Sequence, residues 1–210
     1  MTAASPFDTP ALPAPMRDAL AQAYATPPRA YHNAQHIAAL LDEFDGVART
    51  SGWARPDEVR LAILYHDAIY AAGSHDNEAR SAQLAAEQIM HWLPDVGIDV
   101  ARVVALIELT ARHGAFAPGD FPDDAQGDDT RRFLDCDMAI LGAEPAVFDA
   151  YDRAIAAEYR HVPRWLYALN RRRFLKDLLA RERIYLSDDF HARLDARARS
   201  NLRRAITTKR

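Results

Sequence analysis

The sequence predicts an all-α protein, a helical bundle in a single domain that spans residues 1–210. Apolar residues recur at the 3.6-residue period of a helix along nearly the whole chain. Prolines fall between these periodic segments or at their starts, where a helix tolerates them. Alternating strand patterns are absent apart from one short stretch, "RIYLS", at 183–187.

The periodicity divides the chain into nine predicted helices, several of which begin at a recognisable cap. Asn33 precedes "AQHIAALL", Pro56 opens "PDEVRLAILYHD", and Ser187 leads into the last helix. The longest loop, 114–127, is acidic and rich in Gly and Pro, and such a loop within a compact domain often has a function. We expect the C-terminal helices, 163–206, to pack on the same domain. The predicted helices are 14–25, 33–49, 56–70, 76–93, 98–113, 128–141, 144–161, 163–182 and 187–206.

The composition is that of a soluble globular protein, with 49% hydrophobic and 27% charged residues. The single cysteine, Cys136, excludes an intramolecular disulfide and suits a reducing compartment. No run approaches the ~18 apolar residues that span a bilayer. The first residues also lack the basic start and apolar core of a secretory leader. We therefore expect a cytoplasmic protein with no membrane partner.

The net charge of −4 conceals an uneven distribution. Residues 151–210 hold 16 Lys and Arg against 7 Asp and Glu, and the rest of the chain holds 10 against 23. A basic end can meet nucleic acid or phosphate-rich ligands, but arginines on outer helix faces can also pair with the acidic N-terminal part. We favour the second interpretation, because the basic helices lack the aromatic-interleaved pattern that grips single strands. A nucleic-acid partner is not expected.

Four polar residues on three predicted helices interrupt apolar faces. In "LAILYHDAIY" (61–70), His66 and Asp67 lean toward the apolar stripe, and His36 shares the apolar face of the preceding helix. Asp137 has apolar neighbours on both sides at helical spacing, whereas Asp135 has a more mixed setting, so we expect Asp137 to be the buried one. Burying such groups without compensation costs several kcal/mol. Any one of them is most simply a hydrogen-bonded core residue, but two imidazoles and two carboxylates together suit divalent Mn, Fe, Co or Zn.

The order His…His-Asp…Asp on an all-helical chain resembles the HD superfamily of metal-dependent phosphohydrolases. The sequence motifs around these residues are similar to those of a little-characterised bacterial branch of predicted HD phosphohydrolases. They are "YHNAQHI" (31–37), "LYHDAIY" (64–70), "DNEARSA" (76–82), "LTARH" (109–113) and "LDCDMAILG" (134–142). The resemblance covers about residues 30–180 and implies an HD-type bundle that binds one divalent cation or two. Mn, Fe, Co, Zn, Ni and Mg are not distinguished. The metal ligands that it implies are His36, His66, Asp67 and Asp137.

The resemblance also implies catalytic groups beside the metal, with Asp67 as a catalytic ligand. Where HD proteins hold two metals, an additional His usually comes from the region after the consecutive His and Asp, which are His66 and Asp67 in this sequence. The residue at the matching position of this sequence is Glu78. Glu78 or Asp76 could hold a metal-bound water or act as general base. Glu78 could equally be a carboxylate favoured at a helix N-terminus, and His113 a histidine favoured at a helix C-terminus. In its functional role His113 would bind a second metal or a substrate phosphate.

Phosphate needs positively charged partners, and four arginines near the motifs are candidates. They are Arg80, Arg112, Arg160 and Arg172. Two more residues, His32 and Asp135, are candidates to support the ligands from outside the metal site.

The function implied is hydrolysis of a phosphate ester, on a nucleotide or small phosphorylated metabolite, by a metal-activated water. Two alternatives keep the same scaffold: an HD-type di-iron oxygenase, and a non-catalytic nucleotide-binding or sensor protein. The sequence leaves the substrate and the oligomeric state open, with a homodimer as one option.

Overall fold

A computed structural model describes residues 5–8, 12–25 and 29–207, and this part of the chain is all-helical, with no strand. The predicted fold class is therefore confirmed. Parts of the N-terminal segment considered above as a leader, residues 1–4 and 9–11, lie outside the described residues. Two compact units make up the chain, Met1–Ala111 and Arg112–Arg210.

The first unit is built around one buried helix. Its helices are α1 (Ala14–Ala25), α2 (Ala34–Thr50), α3 (Pro56–Tyr65), α4 (Asn77–Trp92) and α5 (Val100–Thr110). Helix α3 packs against α2, α4 and α5. Every residue from Leu61 to Ala68 is buried. Contact on several sides explains why "LAILYHDAIY" is almost continuously apolar, since a helix enclosed by neighbours has little face left for polar residues.

Side chains cap the ends of these helices as the sequence predicts. The Asn33 side chain accepts a hydrogen bond of 2.8 Å from the Gln35 N–H at the start of α2. Pro56 occupies the first turn of α3, where its missing N–H is harmless. Asp99, which the sequence reading did not single out, caps α5 by accepting from the Arg102 N–H.

Four predicted helices end three to five residues earlier than expected: 56–70, 98–113, 128–141 and 144–161. The largest difference is at α3. The range 56–70 was too long, because the helix ends at Tyr65. Beyond this point the backbone bonds to side chains instead of continuing the helix: Ser81 Oγ accepts from the Ile69 N–H at 3.0 Å, and Asn77 Oδ1 accepts from the Ala71 N–H at 3.0 Å. Similarly, α5 ends at Thr110, so His113 lies in a separate 3₁₀ turn and not at a helix C-terminus.

The second unit contains α6 (Ala125–Met138), α7 (Pro145–Glu158), α8 (Arg164–Ala180) and α9 (Asp188–Thr207). Short 3₁₀ turns at His113–Ala115 and Pro118–Asp120 occupy much of the predicted 114–127 loop, and a third at Ala139–Gly142 packs on α6, α7 and α9. Gly142 permits that packing, since a Cβ there would lie 2.7 Å from Leu194 Cβ.

The predicted short strand "RIYLS" does not form, because side chains take its backbone donors. Asp195 accepts from the Ile184 N–H at 2.8 Å. Asp135 accepts from the N–H groups of Leu186 and Ser187, each at 2.7 Å. These N–H groups are therefore not available for pairing with a strand.

No helix in the part of the chain that the structure describes is both long and apolar enough to cross a membrane.

Candidate metal centre

Three of the four predicted metal ligands meet in the first unit. His36 lies one turn into α2, on the face that also buries Ile37 and Leu40, and is itself buried. His66 caps the C-terminus of α3 and Asp67 follows it directly, and both are buried. The early end of α3 matters here, because it turns two consecutive side chains toward the same point.

The ligand atoms of the three residues form a small triangle. His36 Nε2 lies 3.2 Å from His66 Nε2 and 3.5 Å from Asp67 Oδ2, and His66 Nε2 lies 3.1 Å from the same oxygen. Ligand atoms about 2.0–2.2 Å from one ion, at tetrahedral or octahedral angles, stand about 3.0–3.5 Å apart. Among the His, Cys, Asp and Glu side chains of the described residues, these three have ligand atoms within 4.8 Å of one another, which is close enough to hold a metal ion.

A backbone carbonyl determines which nitrogen of His66 faces the triangle as an acceptor. His66 Nδ1 lies 2.9 Å from the Ile63 carbonyl oxygen and donates its hydrogen there. In the neutral ring, Nε2 then carries a lone pair directed at the other two ligand atoms. Metal-binding histidines are usually held in this way, with the second ring nitrogen bonded to a carbonyl or carboxylate.

The electrostatics of the triangle suit a proton or a cation at its centre. Burial alone would raise the pKa of Asp67, but His66 and His32 nearby, and hydrogen bonds from His36 and His66, hold that pKa well below its usual range. Because His66 already uses Nδ1–H toward Ile63, a further hydrogen bond from its Nε2 requires an added proton. A carboxylate and two imidazole nitrogens thus need either a proton or a metal ion between them, and this donor set suits borderline divalent metals.

His32 lies beside the cluster, as predicted for a supporting residue. Its ring stacks on Tyr70 at a centroid distance of 4.2 Å and contacts His36 edge-on at 5.8 Å. It also lowers the pKa of Asp67 electrostatically. The ring of Tyr31 packs against both His32 and His36.

The predicted catalytic carboxylates on α4 are not part of the triangle. Neither Glu78 nor Asp76 belongs to the described group of ligand atoms within 4.8 Å of one another. Asp76 is exposed at the start of α4, where a hydrogen bond from Ser74 lowers its pKa. Glu78 is half-buried in the first turn of the helix, and Arg80 is exposed one residue beyond that turn.

Asp137, the fourth predicted ligand, belongs to the second unit. Its Oδ2 lies 3.4 Å from Nδ1 of His113, so two predicted site residues meet here. The predicted order of burial is reversed: Asp135 is buried, whereas Asp137 is half-buried. The reason is that Asp135 holds the backbone of Leu186 and Ser187. Burial raises the pKa of Asp135 to about 7, although hydrogen bonds from these two residues lower it.

The other predicted phosphate-binding arginines lie at exposed positions of the second unit. Arg112 is exposed, and its guanidinium lies over the Phe116 ring at 5.4 Å. Arg160 lies just after the end of α7, and Arg172 lies on the outer side of α8. In the run of three arginines, Arg171 is half-buried and bonds to Asp152 at 3.1 Å.

Sequence reasoning missed three residues that support the cluster: Arg29, Asn77 and Ser81. Asn77 and Ser81 are buried and hold the chain just after Asp67 through Ala71 and Ile69. Their spacing of four residues within "DNEARSA" placed them on one face of a helix and could have identified them. No family model, curated protein or solved structure matches the chain.

Proposed function

We propose that this protein is a metal-dependent phosphohydrolase that cleaves a phosphate ester of a nucleotide or small phosphorylated metabolite. The observation that carries the proposal is the triangle of His36, His66 and Asp67, whose ligand atoms lie 3.1–3.5 Å apart. It agrees with the His…His-Asp order of the HD superfamily, which the sequence resembles. Asp137, the fourth ligand that the resemblance implies, stays a prediction.

The three residues have distinct tasks in holding the cation. Asp67 stays ionised at neutral pH because its pKa is well below the usual range, so a proton competes poorly with a metal for its oxygen. His66 is held in one tautomer by Ile63, and His36 supplies the second nitrogen from a different helix. A divalent cation held there would polarise a phosphoryl oxygen and lower the pKa of a bound water toward ~7.

The remaining proposed residues manage the proton and the phosphate charge. Glu78 or Asp76 would accept the proton that the water loses as its oxygen bonds to phosphorus, and would return it to the leaving ester oxygen as the P–O bond breaks. Arg80, Arg112, Arg160, Arg172 and His113 are the proposed phosphate-binding candidates. Each would offset negative charge that develops on phosphoryl oxygens.

The test is a metal analysis joined to a phosphate-release screen, on protein purified without chelator. We expect bound divalent metal in the parent protein and phosphate release from at least one nucleotide or phosphorylated metabolite. Asp67→Asn should lose both, because an amide oxygen binds a cation far more weakly than a carboxylate. Retention of full phosphate release by Asp67→Asn would contradict the proposal.

The matched control is Asp42→Asn, which changes an exposed carboxylate of α2 in the same unit. Its metal content and turnover should equal those of the parent protein. Loss of turnover in this control would show that the assay reports general damage and not the metal centre.

A second candidate function follows from the composition of the triangle itself. Two histidines and one carboxylate with open coordination positions are the usual ligands of iron-dependent oxygenases. Oxygen uptake on an iron-loaded sample separates the two functions, because phosphate-ester hydrolysis consumes no oxygen. Oxygen consumption with no phosphate release would favour the oxygenase.

A further inference from the structure

Arg29 bonds to both chain segments that supply the metal ligands. Its Nη1 donates to the Asp67 carbonyl oxygen at 2.8 Å and to the His32 carbonyl oxygen at 3.2 Å. Its Nη2 donates to the Ala68 carbonyl oxygen at 2.9 Å. One guanidinium thus connects the turn after α3 to the segment that leads into α2.

Two aromatic rings hold this guanidinium in place. The centre of the group lies 5.1 Å from the Tyr24 ring and 5.8 Å from the Tyr70 ring. Tyr24 itself donates to the Leu64 carbonyl oxygen at 3.0 Å, near the end of α3. Tyr70 stacks on His32. Cation–π contacts of this kind restrict the plane in which the guanidinium donors point.

Two of the carbonyls that Arg29 bonds, those of Asp67 and Ala68, lie just beyond the end of α3, and the third, that of His32, lies before the start of α2. The Asp67 carbonyl belongs to a ligand residue, and His32 lies four residues before His36 in the adjoining turn. A shift between these two segments would change the His36–His66 and His36–Asp67 distances directly. Arg29 itself offers no ligand atom, because a guanidinium donates hydrogen bonds and has no acceptor.

We infer that Arg29 is a positioning residue for the metal centre, which sets the distance of His36 from His66 and Asp67 by bridging their backbone segments. The inference rests on the proposed metal site and adds a residue to it. Planar geometry is essential to this role, because a lysine has one nitrogen and cannot present two parallel donors while packed between two rings.

Cobalt(II) titration of the intact protein tests the inference, with the affinity and the visible absorption spectrum of the bound ion as readouts. The spectrum reports coordination geometry, which a change of fold stability alone does not alter. We expect Arg29→Lys to bind cobalt about 10–100-fold more weakly and to change the absorption bands, as loss of a supporting bond around a metal does. Arg29→Gln should bind no better than Arg29→Lys.

The matched control is Arg60→Lys, which also removes a guanidinium from an aromatic ring of the first unit. Arg60 lies 4.7 Å over Phe44 and pairs with Asp45. It should leave cobalt affinity and spectrum unchanged.

Normal cobalt binding by Arg29→Lys would overturn the inference, since charge alone would then suffice. Loss of helical circular dichroism in both metal-free Arg29 variants would overturn it too, because Arg29 would then hold the fold. Failure of the parent protein to bind cobalt would overturn both this inference and the metal centre. Absence of phosphate release from a parent that binds cobalt contradicts only the proposed reaction.

Discussion

At the scale of single residues, His66 shows how the surroundings of one ring fix its chemistry. One ring nitrogen bonds to the Ile63 carbonyl, and the other faces His36 and Asp67. Neither contact could be read from the apolar run around His66, although the run does predict that the ring is buried. The burial of His36, His66 and Asp67 was predicted and is confirmed.

Asp195 gives a prediction about stability and pH at this scale. Its buried carboxylate accepts from the Ile184 N–H at 2.8 Å and bonds to Arg199. Burial alone would raise the pKa of Asp195, but these hydrogen bonds and the charge of Arg199 lower it. Asp195→Asn should therefore reduce the free energy of unfolding by about 1–3 kcal/mol at neutral pH.

The sign of the pH dependence follows from the lowered pKa. The contribution of Asp195 is fully present above the unfolded-state pKa of about 3.9 and is lost as the pH falls through the lower folded-state pKa. Urea denaturation at pH 7 and at lower pH should show the parent and Asp195→Asn converging in acid. Asp123→Asn, at an exposed position of the same unit, should match the parent throughout. A constant difference down to the lowest pH would contradict the assignment.

At the scale of elements, the helices are predictable where a local signal marks their ends. The Asn33 cap, Pro56 and the prolines before α7 and α8 place the helix starts within one residue. The larger errors lie at the ends of α3, α5 and α7, at both ends of α6, and at the "RIYLS" stretch. In α3 and "RIYLS", side chains distant in the sequence take up the backbone groups, as Asp135 does for Leu186.

The attachment of the turn after α3 to α4 gives a second prediction. Ser81 and Asn77 each bond to both the N–H and the C=O of one residue of that turn. Removing either side chain removes two part-buried hydrogen bonds, which together contribute about 1–3 kcal/mol. Ser81→Ala and Asn77→Ala should each lower the free energy of unfolding by that amount in chemical denaturation.

The control for these variants is Gln83→Ala on the same helix. Gln83 is exposed and pairs with Glu87 at 2.8 Å, and exposed pairs at this spacing contribute only about 0.2–0.5 kcal/mol. Equal losses for Gln83→Ala and Ser81→Ala would show that the buried bonds do not stabilise the turn.

At the scale of the whole molecule, cation binding should be visible as stability. A ligand that binds the folded chain alone raises the free energy of unfolding by about 2.7 kcal/mol at a concentration of 100 Kd. We expect manganese or cobalt to raise the melting temperature of the parent protein, and a chelator to reverse the rise.

The variant His36→Ala should lose this metal-dependent rise, whatever its own melting temperature without metal. His75→Ala, which changes an exposed histidine after His66 and Asp67, should keep the metal-dependent rise. A rise of unchanged size in His36→Ala would mean that the cation binds elsewhere.

The sequence by itself determined the all-helical class, most helix bounds and the burial of His36, His66 and Asp67. It could do so because these depend on periodicity, caps and hydrophobicity, which are local properties. It also ranked Asp137 as more buried than Asp135, which was wrong, because the bonds of Asp135 to Leu186 and Ser187 cross about fifty residues of chain.

Only the tertiary structure decided the distances within the triangle, the tautomer of His66 and the part played by Arg29. The distances from His36 and the part played by Arg29 depend on contacts between residues about thirty to forty positions apart, such as His36 with His66 and Arg29 with Asp67. The tautomer of His66 depends on the Ile63 carbonyl three residues earlier, and therefore on where α3 ends. A sequence pattern records which side of a helix a residue occupies. It does not record which carbonyl or ring the residue meets there, because that is set by the packing of one helix on another.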